Sequence, residues 1–501
     1  MKHLNWLLKP IAKAITSREL KKHTKAIDIQ LNTLRYLIQN SNEISFGLDH
    51  NFKQITNYYD FLCHVNIQDY EGLSPYIERV KKGEENVLWK GLPIYFAKTS
   101  GTTSGAKYIP ITKDSIQHHM TAARNSLFAY VAETGKASFF TKKMIFLQGS
   151  PVLEKENGIF IGRLSGIAYH HVPAWLMRNR KPSYETNCLE DWESKLNAIV
   201  TETKDESMSL FSGIPPWCVM YFEKLLAVSG QENLKSMYPD LQLFIHGGVN
   251  FQPYREKMNT LLGQGVDYIE TYPASEGFFA YQDSQVHEGL LLNIDAGIFY
   301  EFVKSEEIFH DKPKRIHLGD VELGVNYVLI VSTNAGLWAY NTGDTIKFVY
   351  LNPYRIVVTG RVKHFISAFG EHVIQEEVEY AISEAAKTMD VSIVEFTVAP
   401  KVASAGSASY HEWYIEFGLE QDVNKDLFIK EVDVLMQVRN SYYKDLRSGN
   451  ILEQGQLQEI NPGGFNAYFE EKGKMGGQNK VQHLSNSREL VDVLIKYVKI
   501  S

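Results

Sequence analysis

Nine consecutive residues constrain this chain more than any other feature of its sequence. Positions 99–107 read Thr-Ser-Gly-Thr-Thr-Ser-Gly-Ala-Lys, with five hydroxyls, two glycines and a lysine. Glycine lets backbone N–H groups approach an anion closely, and the hydroxyls and the ammonium supply further donors. The Gly-Lys-Ser/Thr ending of the usual P-loop is missing. The stretch therefore predicts either a phosphate-binding loop of another kind or a flexible surface turn.

The composition indicates a globular protein of more than one domain. The 501 residues suffice for two or three domains, and 44% hydrophobic and 22% charged residues are ordinary values. A formal net charge of −7 and the short basic runs argue against nucleic acid as a partner. No apolar run approaches the roughly 18 residues of a membrane span. Three distant cysteines, Cys63, Cys188 and Cys218, predict reduced packing residues of a cytoplasmic protein rather than disulfides or a zinc site.

Apolar periodicity and turn residues predict an α/β body. The first 90 residues are expected to be largely helical, with residues 1–15 forming a short helix that docks on the body. A further helix is expected over 113–132, after the cap-type residue Thr112. Ligands of such bodies bind at the carboxyl ends of the strands. The predicted strands cover 241–245, 266–272, 327–331, 345–350 and 355–358.

The pattern changes after Thr359-Gly-Arg361. A helix over 375–387 is followed by two strands, a small-residue loop and a long helix. We therefore divide the chain into residues 1–360 and a smaller α+β domain over 361–501. The two predicted strands cover 391–398 and 413–417, and the long helix covers 428–446.

The segment after the predicted strand over 266–272 carries an aromatic ring, a serine and a carboxylate. Tyr272 can cover a nucleotide base, Ser275 can bind a phosphate oxygen, and Glu276 can hold Mg²⁺. The alternative is a strand-to-loop turn in which Ser and Glu only cap a helix. Three aromatic residues follow as core residues or as the lining of an apolar acyl pocket, namely Phe278, Phe279 and Tyr281.

Three more segments each carry a charged residue suited to a nucleotide. Asp344, in a Gly-Asp turn expected between two strands, is an acceptor for two ribose hydroxyls or an ordinary turn residue. Arg361 offers a permanent charge to ribose or phosphate, or plays a structural role at a strand end. Lys480, after Gly-Gly-Gln-Asn, can neutralise developing negative charge, or lies in an exposed turn.

These segments, in this order, resemble those of the acyl-acid amido synthetases of the auxin-responsive family. That family lies within the superfamily of acyl-adenylate-forming enzymes, which includes firefly luciferase. Residues 100–107 resemble its first, phosphate-binding motif, residues 272–276 its second, and residues 340–344 its third. Residues 360–361 are similar to its hinge region, and residues 477–480 to the segment with its C-terminal catalytic lysine.

The resemblance implies a fold, cofactors and residue roles. The fold is a large N-terminal α/β body of several subdomains with a smaller, mobile C-terminal α+β domain, and the cofactors are ATP and Mg²⁺. The implied roles are phosphate binding by Ser100, Gly101, Thr102, Thr103, Ser104, Gly105, Lys107 and Ser275, adenine binding by Gly247, Gly248 and Tyr272, ribose binding by Asp344 and Arg361, Mg²⁺ binding by Glu276, and catalysis by Lys480 with Glu276.

One position departs from the family's pattern. The third motif usually reads Tyr-Arg-x-Gly-Asp, and Asn341 stands here in place of the arginine. Because Asp344 is retained, we expect ribose binding to persist. The sequence does not say how the neighbouring loop is fixed without the arginine.

The implied reaction joins a carboxylic acid to an amino acid. ATP activates the acid as an acyl-adenylate with release of pyrophosphate, and the amine of the amino acid then displaces AMP. Two alternatives stay open: an acyl-CoA ligase with the same first step, and a non-catalytic nucleotide-binding protein. Retention of Glu276 and Lys480 argues against the second. The sequence identifies neither the acid nor the amino acid, and it leaves the oligomeric state open.

Overall fold

The structure is a computed structural model in which helices and strands alternate around two main hydrophobic cores. This mixed α/β architecture agrees with the sequence-based prediction. The described residues are 2–102, 105–189, 191–249, 251, 254–362, 365–366, 368–371, 373–402, 409–418, 423–471 and 481–499.

The N-terminal region is helical, as its periodicity predicts. The first helix docks on the body, because buried Ala12 packs in one cluster with Tyr130 and Val131. Within the described ranges, no helix combines the length and the apolar character that crossing a membrane would require. The helices are α1 (Lys2–Lys22), α2 (Ala26–Ser41), α3 (Ser45–Asp49), α4 (Tyr58–His64) and α5 (Tyr70–Lys81), with short 3-10 turns at His23–Lys25 and Phe52–Gln54.

A hairpin and a long helix follow. Thr112 caps the helix as predicted: its side chain accepts a hydrogen bond from the Ser115 N–H, and the Ser115 hydroxyl accepts one from the Thr112 N–H. This reciprocal capping satisfies two backbone donors that the first helical turn would otherwise leave unpaired. The elements are β1 (Tyr95–Thr102), β2 (Gly105–Ile111) and α6 (Lys113–Thr134).

Strands and helices alternate through the rest of the body. In chain order they are β3 (Lys143–Phe146), β4 (Glu154–Glu156), β5 (Ile159–Gly162), α7 (Leu164–Tyr169), α8 (Ala174–Met177), β6 (Arg180–Lys181), α9 (Tyr184–Asn187), α10 (Trp192–Thr203), β7 (Met208–Gly213), α11 (Pro215–Ser229), α12 (Leu234–Met237), β8 (Leu243–Gly247), α13 (Arg255–Leu262), β9 (Asp267–Ala274), β10 (Gly277–Tyr281), β11 (Leu290–Leu292), β12 (Ile298–Lys304), β13 (Ile316–His317), β14 (Asn326–Thr333), β15 (Tyr340–Leu351) and β16 (Tyr354–Arg361).

These strands form two sheets that bring distant segments to one edge. The larger sheet has twelve strands in the order β13-β12-β14-β15-β16-β11-β10-β9-β8-β7-β3-β6, and the smaller has the order β2-β1-β5-β4. Neighbouring strands from β9 through β8, β7 and β3 to β6 pair in parallel. On the other side of β9 the neighbours pair antiparallel, in the order β10, β11, β16, β15, β14, β12 and β13. The carboxyl ends of β7, β8 and β9 therefore meet at the same edge, where ligands of such sheets bind.

The C-terminal part has the predicted α+β character with one correction. The helix expected over 428–446 is interrupted at Asn440, whose side chain accepts a hydrogen bond from the Tyr443 N–H at 2.8 Å and so starts a second helix. The elements are β17 (Phe365–Ile366), β18 (Val373–Ile374), α14 (Gln375–Met389), β19 (Ile393–Lys401), β20 (Tyr410–Phe417), α15 (Lys425–Arg439), α16 (Ser441–Ser448), β21 (Gln456–Glu459), α17 (Gly464–Glu471) and α18 (Glu489–Leu494), with β19, β20 and β21 forming one sheet.

The C-terminal part packs directly on the body. One apolar core contains residues of β7, β8, α11 and α13 together with residues of α14, β19, β20 and α15. The Tyr254 hydroxyl donates to the Ala368 carbonyl at 2.5 Å. Arg163 pairs with Asp445 at 2.6 Å, and its guanidinium lies 4.5 Å from the centre of the Tyr442 ring. Apolar burial and polar contacts thus hold the two parts together in this arrangement.

His483 ties the chain near the C-terminus to two elements of the C-terminal part. Its Nδ1 lies 2.8 Å from a carboxylate oxygen of Glu379 on α14, and its Nε2 lies 2.9 Å from one of Glu395 on β19. The imidazole also stacks on Phe396 at 4.2 Å. The hydrogen bond to Glu395 raises the pKa of His483 above its ordinary 6.5; burial opposes this rise, and Glu379 adds to it.

This arrangement predicts a stability contribution that depends on pH. A pKa raised by folding stabilises the folded state below the unfolded pKa, and the gain is lost as the pH rises through the folded pKa. We expect His483→Gln to lower the free energy of unfolding by about 1 kcal/mol at pH 6 and by much less at pH 9. Urea unfolding at both pH values measures this difference. An equal loss at both would contradict the prediction, and the exposed His310→Gln is the control.

Candidate functional site

The hydroxyl-rich stretch forms the end of the β1–β2 hairpin. Thr99 pairs with Lys107 and Thr102 pairs with Gly105, with a register irregularity between the two pairs. The stretch therefore joins two antiparallel strands, whereas the usual P-loop leads from a strand into a helix. Thr103 and Ser104 lie outside the described residues. Phosphate binding by residues 100–105 stays a prediction.

Lys107 lies on the second strand of this hairpin, near the other motifs. Its ammonium is 5.7 Å from the centre of the Tyr70 ring. The Tyr70 hydroxyl in turn accepts a hydrogen bond from the Tyr108 N–H at 3.0 Å. The positive charge of Lys107 is also close enough to Glu276 to influence the pKa of that carboxyl. The first motif therefore reaches the second in space, although about 170 residues separate them in sequence.

The second motif forms a tight hairpin. Tyr272 lies on β9, Ser275 and Glu276 form the turn, and Gly277 pairs with Ala274 as β10 begins. This confirms that the motif lies at the end of a strand, but the next element is a strand and not a helix. The Ser275-Glu276 pair therefore belongs to a hairpin turn, which overturns the helix-capping alternative.

Glu276 sits among charges contributed by the other motifs. Burial is the main cause that raises the pKa of its carboxyl; Lys107 and Arg361 oppose that rise, and Asp344 adds to it. The side chain is half-buried. Such an environment, in which two cations and a second carboxylate surround a carboxylate, is typical of functional sites.

Asp344 is held by two donors from two other strands. The Tyr272 hydroxyl donates to one carboxylate oxygen at 2.5 Å, and the Arg361 Nε lies 2.6 Å from the other. The Arg361 guanidinium also donates to the Thr342 carbonyl at 2.8 Å. Burial opposes charge on Arg361, but the negative charge of Asp344 raises its pKa further above the ordinary value. Burial and the nearby Asp344 together raise the pKa of Tyr272.

The sequence predicted that the third motif lies between two strands, and this prediction is wrong. Residues 340–344 begin β15 itself, and the strand continues to Leu351. Gly343 adopts a positive φ of 79° inside this strand. Glycine and aspartate are common in turns, so the sequence indicated a connection between strands. Here they form an irregularity within one strand. Arg361 is the last residue of the neighbouring β16 and pairs with Asp344.

Gly247 and Gly248 lie where β8 ends, beside the second motif. Gly247 pairs with Thr271, the residue before Tyr272. A Cβ at position 247 would lie 2.3 Å from the Thr271 carbonyl oxygen, so only glycine fits there. Gly248 has a φ of 84°, which also favours glycine. Both residues thus line the strand edge next to Tyr272, and adenine binding by them stays a prediction.

The aromatic residues after Glu276 are buried in two different cores. Phe279 packs against Tyr272 with ring centres 5.1 Å apart. Phe278 and Tyr281 belong to a cluster with Ala122 and Ala129 of α6. A register irregularity between Phe278 and Ala280 breaks the usual alternation of faces. These contacts agree with core packing, and their role in an acyl pocket stays a prediction. Lys480 lies outside the described residues.

The structure adds residues that the sequence did not point to. Gln68 bridges to β15: its carbonyl accepts a hydrogen bond from the Asn341 N–H at 2.7 Å. Tyr340 is buried, and burial and then Glu276 are the leading causes that raise its pKa. Thr342 donates its hydroxyl to the Leu329 carbonyl at 2.9 Å. Tyr340 and Thr342 could have been found from the sequence, since they belong to the third motif. No sequence feature indicated that Gln68 lies at this site.

The Glu276 carboxylate is a hard oxygen donor of the type that Mg²⁺ takes from proteins. Among the described residues, no three His, Cys, Asp or Glu side chains group together as a metal site would require. Mg²⁺ is commonly held by one or two carboxylates plus substrate phosphates. The half-buried Glu276, with Asp344 in its electrostatic environment, fits that donor pattern.

Models of one protein family match the chain along most of its length. The GH3 family N-terminal domain matches residues 17–183, the GH3 family central domain residues 291–361, and the GH3 family C-terminal domain residues 376–489. These ranges cover more than half of the 501 residues. The chain belongs to the GH3 family. This confirms the family predicted from the order of the motifs.

GH3 proteins with little sequence identity to this chain match it over most of its length. Indole-3-acetic acid-amido synthetase GH3.3 of Arabidopsis thaliana is 20% identical over 460 residues, covering 76% of this chain and 75% of that protein. The solved structure of the acyl acid amido synthetase AtGH3.15 with 2,4-DB is 16% identical, with a TM-score of 0.61 over 98% of this chain and 96% of that chain.

A coenzyme A ligase shares the same architecture. The 2-hydroxyisobutyryl-CoA ligase with 2-HIB-AMP and CoA is 12% identical, with a TM-score of 0.52 over 97% of this chain and 92% of that chain. At this level of identity the likeness shows the fold. It confirms the predicted fold of the GH3 chain: a large N-terminal α/β body and a smaller C-terminal part, as in adenylate-forming ligases.

The contact between Asp344 and Arg361 predicts a measurable coupling in stability. The side chains of Asp344 and Arg361 are 17% and 33% exposed, so the pair is only partly buried, and Asp344→Asn and Arg361→Met should each cost about 1 kcal/mol of unfolding free energy. The double variant should cost about 1 kcal/mol less than the sum. Urea unfolding of all four proteins measures this coupling. The exposed pair of Lys304 and Glu322 is the control and should show almost none; strict additivity at Asp344 and Arg361 would contradict the prediction.

Proposed function

We propose that this GH3 protein is an ATP-dependent acyl acid amido synthetase that forms an acyl-adenylate and transfers the acyl group to an amino acid. One observation carries the proposal: Lys107, Tyr272, Glu276, Asp344 and Arg361 come from distant segments and lie around one point at the strand ends. Relatives that carry the name amido synthetase support the choice of reaction.

The residues fall into groups that match the parts of ATP. The proposed ribose site is the Asp344 carboxylate, fixed by Tyr272 and Arg361. The ring of Tyr272, beside Gly247 and Gly248, is proposed to cover adenine. The phosphates are assigned to Ser100, Gly101, Thr102, Thr103, Ser104, Gly105, Lys107 and Ser275.

The chemistry that these residues must support is mostly the neutralisation of charge. In the first step a carboxylate oxygen of the acid attacks the α-phosphorus of ATP, and the bond to the β-phosphate oxygen breaks to release pyrophosphate. In the second step a neutral amine attacks the acyl carbon, AMP leaves, and the amine loses a proton. Both partners of the first step are anions, so positioned cations lower its barrier.

Glu276 is the proposed anchor of Mg²⁺, which screens the triphosphate charge when bound. Lys480 is the proposed second source of positive charge, acting on the α-phosphoryl group. We further propose that residues 361–501 form a mobile domain that brings this lysine to the body over residues 1–360. Because the reaction consumes ATP, we propose a cytoplasmic location. Phe278 and Tyr281, which share one buried cluster, are the proposed wall of the acyl pocket, whereas Phe279 packs against Tyr272 in another core.

Exchange of pyrophosphate into ATP tests the first step. Screened over carboxylic acids, the wild-type protein should show exchange that depends on the acid, and Glu276→Gln should lower it by about 10²- to 10³-fold. The exposed Glu288→Gln is the matched control and should leave exchange unchanged. No acid-dependent exchange in the wild type would end the proposed function, and full exchange by Glu276→Gln would remove Glu276 from the site.

Analysis of the products identifies the acceptor. Incubation with the active acid, ATP and either amino acids or coenzyme A should give an amide and no thioester. A thioester would replace the proposal with an acyl-CoA ligase. Formation of an acyl-adenylate with no transfer to either acceptor would also contradict it.

The proposed role of Lys480 predicts that its loss affects adenylation but not amide formation. Lys480→Ala should lower adenylation by about 10²-fold or more but spare amide formation from supplied acyl-adenylate. Pyrophosphate exchange and single-turnover amide formation measure the two steps. The exposed Lys430→Ala on α15 is the control from the same part of the chain. Equal losses in both steps would mean that the lysine does not act in adenylation alone.

A further inference from the structure

Strand β15 contains a bulge that ends at Asp344. Ile330 of β14 pairs with Asn341, but Val328 pairs with Thr345. Three residues of β15, numbers 342–344, therefore face the single residue Leu329. Such an insertion bends the strand and re-aims a side chain, and it needs hydrogen bonds to replace those of the ladder.

Two side chains supply the missing hydrogen bonds. The Asn341 side-chain oxygen accepts from the Gly343 N–H at 2.9 Å. The Thr342 hydroxyl accepts from the Asp344 N–H at 3.2 Å and donates to the Leu329 carbonyl at 2.9 Å. The Asn341 contact spans two residues and is an Asx-turn, which holds Gly343 at its positive φ of 79°.

The backbone around Asn341 is fixed from both sides. Its N–H donates to the Gln68 carbonyl at 2.7 Å, and on the other side it pairs with Ile330. Beyond the bulge, the Gly343 carbonyl accepts from the Val362 N–H at 2.8 Å. The bulge is thus a short rigid unit between two anchored ends, and Asn341 closes it from within.

We propose that Asn341 is a positioning residue for the nucleotide: by bonding Gly343 it sets the bulge that aims the Asp344 carboxylate at the ribose hydroxyls. This rests on the proposed use of ATP. An arginine at this position, as the family's pattern would have it, has donors only and cannot accept from the Gly343 N–H. The chain therefore fixes the turn before its aspartate through an acceptor.

The proposal makes a specific prediction for nucleotide binding. Tyr272 and Arg361 still hold Asp344 when Asn341 is lost, so the carboxylate stays near the ribose but is less well aimed. The loss of one such hydrogen bond corresponds to a change of about three- to tenfold. The loss should fall on the ribose contacts and leave the contacts of base and phosphates intact.

The test compares ATP with 2′-deoxy-ATP by isothermal titration calorimetry of the 501-residue chain. Asn341→Leu keeps the side-chain size but removes the acceptor. We expect it to raise the Kd for ATP about three- to tenfold and to raise the Kd for 2′-deoxy-ATP less, so that the ratio of the two constants falls toward one. Asn341→Ser, whose hydroxyl can accept from the N–H two residues on, should restore part of the ratio.

The controls separate positioning from general destabilisation. Asn259→Leu on α13, which removes a side-chain oxygen that accepts a hydrogen bond from the Tyr268 hydroxyl of β9, should leave both constants unchanged. If Asn341→Leu does not fold, Asn341→Ala and Asn341→Ser carry the same comparison. An unchanged ratio in a folded Asn341 variant, or equal weakening of both nucleotides, would overturn the proposal. A wild-type protein that binds neither nucleotide would instead overturn the proposed function itself, and this inference with it.

Discussion

The site depends on one charged contact: the carboxylate of Asp344 held between a phenol and a guanidinium. A carboxylate removed from water is costly unless it is paired and hydrogen-bonded. Tyr272 and Arg361 meet that requirement with contacts of 2.5 and 2.6 Å. Because these partners lie on β9 and β16, the contact can form only if the large sheet brings three separate strands into register. The sheet and the site are therefore determined together.

The same contact explains how distant sequence motifs become neighbours. Parallel pairing of β8 with β9 sets Gly247 beside Thr271, and antiparallel pairing of β15 with β16 sets Asp344 beside Arg361. The hairpin with Lys107 approaches from the smaller sheet, where its charge reaches Glu276. In the sequence, each motif taken alone resembles an ordinary structural segment. Their chemistry arises from topology, which places opposite charges within reach of one another at a partly buried sheet edge.

Much of this was predictable from the sequence, and the exceptions have physical causes. Periodicity predicted the helical N-terminus, the helix after Thr112 and the strands over 241–245 and 266–272, which form β8 (Leu243–Gly247) and β9 (Asp267–Ala274). It failed where local chemistry and tertiary pairing disagree. Gly343 and Asp344 look like a connection between strands, yet β14 and β16 pair with the residues around them and make a bulge. Asn440 looks helical in an apolar periodic segment, yet its side chain starts a new helix.

Contacts over long sequence distances were beyond such an analysis. Nothing in the residues around Gln68 indicates that its backbone would meet Asn341, more than 270 residues later. Residue chemistry alone left Glu276 and Asp344 with both a functional and an ordinary structural role, and the family resemblance chose between the two roles, since periodicity does not distinguish a functional carboxylate from a solvated one. Geometry then supplied what the motif could not: the two partners, Tyr272 and Arg361, that hold the Asp344 carboxylate.

The apolar core shared by α13 and the C-terminal elements has a consequence for dissecting the chain. Phe251 and Tyr254 lie in the same buried cluster as Ile366, Phe369 and Val373. A fragment ending at residue 360 would present this surface to water, and contiguous exposed apolar patches favour association. Such a fragment should self-associate more strongly than its composition suggests. Replacing Phe251 and Tyr254 with polar residues in such a fragment should therefore give a more soluble N-terminal body than truncation alone.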